Sequence, residues 1–83
     1  MGKSAEDQAI EFFIKRAQLA SETADHHVRD GEFDKGAKLY RQSYGFFLKA
    51  QKNHPDDQEL AILLQEVKKK YQDSIQKSQA STN

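Results

Sequence analysis

Residues 31–52 read GEFDKGAKLYRQSYGFFLKAQK. Phe33, Gly36, Tyr40, Ser43, Phe47 and Ala50 recur there at spacings of three and four, the interval that puts side chains on one face of an α-helix. Small residues at 36, 43 and 50 alternate with rings at 33, 40 and 47. Small positions let a neighbouring helix come close while rings fill the remaining gaps, so this face reads as the packing face of a bundle helix. Leu39, Tyr44, Phe46 and Leu48 fall outside the stripe. The pattern predicts a helix over residues 33–52.

Breakers bound it on both sides. Asp30-Gly31 precedes it, and Asn53-His54-Pro55-Asp56 follows; such residues stop helices or turn chains. Upstream, Ser4 with Asp7 three positions on has the spacing of a reciprocal capping pair. Ile10, Phe13, Ala17, Ala20, Ala24 and Val28 then share one face, which predicts a first helix over 5–30 ended by a left-handed Gly31. Downstream, Asp56 with Glu59 repeats the capping arrangement, and Leu60, Leu63, Leu64, Val67, Tyr71 and Ile75 predict a third helix over 57–78. Residues 79–83 are small and polar and are expected to fray, with 80–83 a disordered tail. Two short connections force neighbouring helices to run antiparallel. The expected fold class is therefore all-α: one domain over residues 4–79, a three-helix antiparallel up-down-up bundle.

Composition agrees. With 83 residues the chain holds one domain, and a chain this short buries only about 60% of its unfolded surface. A hydrophobic content of 36% beside 31% charged residues suits helices that each hide one stripe. Thirteen basic residues against thirteen acidic leave no net charge, so the overall footprint of a nucleic-acid or anionic-membrane binder is missing. Cysteine is absent, which removes disulfides and thiolate chemistry. The longest apolar runs, Phe12-Phe13-Ile14 and Leu60 to Leu64, are far short of a membrane span, and nothing reads as a leader. A cytoplasmic setting is the expectation. Met1-Gly2 and Ser81-Thr82-Asn83 read as the edges of a piece of a longer chain.

The six-residue stripe of the second helix resembles that of MIT domains, the microtubule-interacting and trafficking modules. Those domains have an aromatic, a small residue three on, tyrosine four on, then small, large and small residues; here they are Phe33, Gly36, Tyr40, Ser43, Phe47 and Ala50. Leu64, Val67 and Tyr71 meet the third-helix pattern more loosely, and Ala17 and Ala24 fall where the first helix keeps small or apolar residues. The likeness covers about residues 9–78. The tetratricopeptide repeat shares the order of glycine, aromatic, small residue and tyrosine, but its proline follows the last small position by about five residues. Here Pro55 lies twelve beyond Ser43, and a single such repeat cannot bury its own face. The segment around FFIKRAQLASE also resembles the start of the mitochondrial outer-membrane import receptor, whose later helices find no counterpart.

The MIT resemblance implies a docking module whose grooves, between the second and third or the first and third helices, take helical or extended tails of ESCRT-III proteins. It also implies recruitment of a larger trafficking protein to endosomal membranes through those partners. In the vacuolar-sorting AAA ATPases of that family, a leucine follows the third-helix tyrosine and an Arg-Ala-Glu triplet comes soon after. Here Tyr71 is followed by Gln72, and Ser74-Ile75-Gln76 stands at the triplet. A ligand arginine would gain about 1.5–3 kcal/mol from a charged acceptor and less from an amide, so a different ligand or the other groove is expected.

The candidate partner-binding residues are Tyr44, Leu48, Leu64, Lys68, Tyr71, Gln72, Ile75 and Gln76. Tyr44 and Leu48, a turn apart, would flank the groove against the third helix, unless they are simply the edge of a wide core. Lys68, Gln72 and Gln76 would form a basic and amide lip suited to an acidic or neutral helix. Phe12 and Leu19, seven residues apart, read as packing against Leu60 and Ile62, with a groove between the first and third helices or a dimer seam as the alternative. Lys68-Lys69-Lys70 fan about 100° apart and read as a solvated face. His26 and Asp30 supply two ligands where a metal site needs more. No cofactor is expected. No nucleophile–base–orienter set, phosphate loop or paired carboxylates stand out, so the chain reads as non-catalytic. The other readings are a helical oligomerisation or TPR-like adaptor domain unrelated to ESCRT, and a fragment or regulatory insert of an enzyme.

Overall fold

The computed structural model describes residues 4–81, which form three α-helices: α1 (Ala5–Arg29), α2 (Phe33–Asn53) and α3 (Gln58–Ser81). Each predicted helix is present, its ends within three residues of expectation. The fold class is as the periodicity requires: an all-α bundle of three antiparallel helices. α3 continues through Ser81, past the expected boundary at 78, and so takes in Gln79 and Ala80; Thr82 and Asn83, the rest of the expected tail, lie outside the described residues.

Local chemistry sets the ends. Ser4 Oγ accepts a hydrogen bond from the Asp7 amide at 3.1 Å, satisfying one orphan donor of α1. Gly31 adopts φ +83°. Its amide reaches the Val28 carbonyl at 3.0 Å and the Glu32 amide reaches that of His27 at 2.8 Å, the paired bonds of a Schellman stop. His27 Nδ1 lies 2.9 Å from the Glu32 carboxylate, which Lys35 also engages at 3.0 Å. These two hydrogen bonds, that of His27 first, hold the Glu32 carboxyl below the usual carboxylate range. The cap of α3 departs from expectation. Asp57, not Asp56, accepts from the Leu60 amide at 3.2 Å, because Pro55 and Asp56 form the turn itself and the helix starts one residue later.

The second helix is the hub. α1 and α3 both pack on α2, and their backbones scarcely meet each other. The core is Ile10, Ala17, Ala24, Tyr40, Phe47, Ala50, Leu60, Leu64 and Val67. The α1–α2 seam is built from small residues. A methyl added at Gly36 would lie 2.5 Å from Val28 Cγ2 and 3.2 Å from the Ala24 carbonyl oxygen, and the buried Ser43 hydroxyl donates to the Ala17 carbonyl at 2.7 Å. The alternation read in the sequence thus acts at this seam. Long polar side chains tie all three helices together. The buried Tyr40 hydroxyl donates to Asp25 of α1, and Lys70 of α3 pairs with the same carboxylate at 3.3 Å. Burial first, and the Asp25 hydrogen bond second, raise the Tyr40 phenol above its ordinary value.

A candidate docking groove between the second and third helices

A bundle in which one helix carries the other two leaves furrows along each seam. Between α2 and α3 the furrow opens to about 480 Å³, lined by Arg41, Tyr44, Lys68, Tyr71 and Gln72. It is wider than the clefts between α1 and α2, about 240 Å³, and between α1 and α3, about 290 Å³. Tyr44 and Tyr71 are half-buried against the core and form the walls; Arg41, Lys68 and Gln72 are exposed at the rim. Helical spacing produces this set. Arg41 and Tyr44 are three apart on α2, and Lys68, Tyr71 and Gln72 are three and four apart on α3, so each set lines one side. Rings carry apolar area with a polar tip, and the rim carries two cations and an amide. The groove can bury apolar side chains and pair carboxylates at its lip. Among its lining residues there is no nucleophile with an adjacent base.

Of the eight residues expected at the partner surface, four line this groove: Tyr44, Lys68, Tyr71 and Gln72. The others stand elsewhere. Leu64 is 6% exposed and belongs to the core. Leu48 is 42% exposed, a turn beyond Tyr44 and outside the lining. Ile75 is half-buried and Gln76 exposed, on the turn of α3 beyond Gln72. Arg41 was missed. Its signal was its place three residues before Tyr44 together with the long aliphatic stem of arginine, which can wall an apolar furrow.

Two further expectations change. Phe12 and Leu19 do not pack against Leu60 and Ile62: they are 54% and 57% exposed, and Ile62 itself is 59% exposed. Leu19 instead lines the cleft between α1 and α2, because the close α1–α2 seam turns that side of α1 away from α3. Within the lysine run, Lys70 is not simply solvated, since it pairs with Asp25, and Lys68 faces the groove. Among the described residues no group of three or more His, Cys, Asp and Glu side chains is placed to hold a metal ion, and no helix is long and apolar enough to cross a membrane.

No protein-family model matches the chain. No curated protein and no solved structure matches it either.

Proposed function

We propose that the chain is a non-catalytic docking module that receives a short amphipathic helix, or an extended segment, of a partner protein in the α2–α3 groove. The observation that carries this reading is the furrow itself: two tyrosine walls on adjacent helices, open to solvent, with Arg41, Lys68 and Gln72 at the lip. A fourth helix laid there would bury its apolar stripe against the rings and complete a packing that three helices leave unfinished. The lip selects among ligands. Two cations and an amide favour acidic or neutral flanks and disfavour basic ones by like-charge repulsion.

The MIT resemblance of the sequence supplies the partner class in this proposal: tails of ESCRT-III-like proteins, with the module recruiting a larger trafficking protein to endosomal membranes from the cytoplasm. Within that class the replacements at Gln72 and Gln76 favour tails without the usual arginine anchor.

The test is substitution at the wall. Tyr44→Asp is expected to weaken binding of an ESCRT-III tail by ~1–3 kcal/mol, with the helical circular dichroism unchanged. Ile62→Asp, at a position already exposed on another face, is expected to leave binding as it was. Binding indifferent to Tyr44→Asp removes this groove from consideration.

A further inference from the structure

A second face carries unspent chemistry. Along the outer side of the α1–α2 pair, Phe13 and Phe46 stack with centroids 6.5 Å apart, and Phe12 meets Phe13 edge-on at 5.8 Å. Two cations sit over these rings. The Arg16 guanidinium is 5.7 Å from the Phe12 centroid and 5.9 Å from that of Phe46. Lys49 Nζ is 5.7 Å from Phe13 and 5.5 Å from Phe46. Neither cation makes an ion pair among the described residues. Between them the cleft walled by Leu19, Leu39 and Phe46 continues past Gly45 to Lys49, where the missing side chain leaves open space.

The charges of the chain are sorted around this cleft. On α2 the line Lys38, Gln42, Gly45, Lys49, Lys52 runs at spacings of three and four with no acid in it, Lys35 before it being held by Glu32, and on α1 the line Phe12, Arg16, Leu19, Thr23 is likewise acid-free. Two acids of α1 beside this stretch lie on its other side: Glu22 borders the cleft with α3, and Asp25 holds Lys70. A chain with no net charge therefore presents a one-sign face beside exposed apolar side chains.

We propose that the outer α1–α2 face is a second docking surface, whose occupant is an acidic amphipathic peptide segment of a partner protein. Aliphatic side chains of the segment enter the cleft at Leu19, Leu39 and Phe46, and its carboxylates pair with Arg16 and Lys49. Charge complementarity selects the acid: Arg16 and Lys49 are exposed beside the rings and their charges are not engaged by a carboxylate among the described residues. Shape favours a peptide over a lipid surface, since Leu39 and Phe46 are half-buried in a cleft between two helices and only Phe12 and Leu19 stand out from it. This surface is separate from the α2–α3 groove, and its cations are not those of that groove.

The probe is a fluorescently labelled helical peptide on the order of 15 residues long, with leucines at helical spacing and glutamates flanking them. It is titrated into the whole chain by anisotropy beside an isomer whose leucines are dispersed. The account expects binding of the first and not the second, weakened by salt. It expects a loss of about tenfold or more on Arg16→Glu with Lys49→Glu, and a smaller loss with glutamine at both positions. Tyr44→Asp leaves this binding unchanged. Circular dichroism of the charge-reversed chain separates lost docking from lost folding, and the glutamine pair, which adds no repulsion, repeats the test if the reversed chain unfolds. The proposal is overturned if neither peptide binds, if charge reversal in a folded chain leaves binding intact, or if binding disappears with Tyr44→Asp instead. It is overturned equally by preferential capture on phosphatidylserine vesicles, or by a concentration-dependent dimer in sedimentation that the same charge reversal dissolves.

Discussion

Replacing Gly36 and Gly45 by alanine in turn puts the same methyl on the same helix with opposite consequences. At Gly36 the new carbon would lie 2.5 Å from Val28 Cγ2 and 3.2 Å from the Ala24 carbonyl oxygen. Ordinary carbon–carbon contact is about 3.5–4.0 Å, so the seam must open by roughly 1 Å or Val28 must move. Val28 is β-branched with one strongly preferred rotamer in a helix, and the carbonyl belongs to the α1 backbone. Overpacking of this kind costs about 1–3 kcal/mol, and the better helix propensity of alanine returns about 1 kcal/mol. The net expectation is a loss of up to roughly 2 kcal/mol, which for a domain of this size lowers Tm by up to about 16 °C. At Gly45 nothing lies within 4 Å, and the propensity gain of about 0.5–1 kcal/mol should stand alone. Urea unfolding followed by circular dichroism reads both. A double-mutant cycle with Val28→Ala, which removes the clashing methyl, should recover much of the Gly36 loss. If Gly36→Ala stabilises as much as Gly45→Ala, the α1–α2 helices are not in close approach and the description of that seam fails.

The remaining predictions concern the joints of the bundle. Gly31→Ala forces a side chain into φ +83° with no neighbour within 4 Å, so a backbone cost of about 1 kcal/mol is expected in thermal melts, with no change in the fingerprint of the α2–α3 groove. The Tyr40 phenol is held above its ordinary value in the fold, so its contribution is fully present below the ordinary tyrosine pKa of about 10 and is lost as pH rises through the higher folded value. Stability should therefore fall above pH about 10, and the fall should be shallower in Tyr40→Phe; identical slopes would remove Tyr40 as its source.

Much of this architecture was legible in the residues. The alternation of Phe33, Gly36, Tyr40, Ser43, Phe47 and Ala50 is a local signal, and each of these residues except the half-buried Phe33 is buried. Gly31 and Ser4 were readable because caps depend on neighbours within a turn or so. The Asp25–Tyr40–Lys70 tie was not, since its members lie 15 and 45 residues apart and no periodicity couples them. Leu19 and Phe12 were misplaced for a related reason. Spacing fixes the face of a helix, but the exposure of that face depends on where the next helix crosses. At the candidate groove, Tyr44, Lys68 and Gln72 could be placed from spacing, which equally offered Leu48 and Gln76 outside the lining, while Tyr71 came with the MIT resemblance. Leu64 could not be separated from the partner surface, because core and groove residues share the same three-and-four rhythm. The shift from Asp56 to Asp57 at the start of α3 reflects two adjacent aspartates with equal capping chemistry, between which the Pro55 turn decides.

The most direct test of the docking account is the set of backbone amide shifts recorded while ESCRT-III tail peptides are added to the chain. The account predicts that the largest changes fall on Arg41, Tyr44, Lys68, Tyr71 and Gln72, on both sides of one furrow and with the helices intact. Tails that move no amides, or only amides away from the α2–α3 seam, would contradict it.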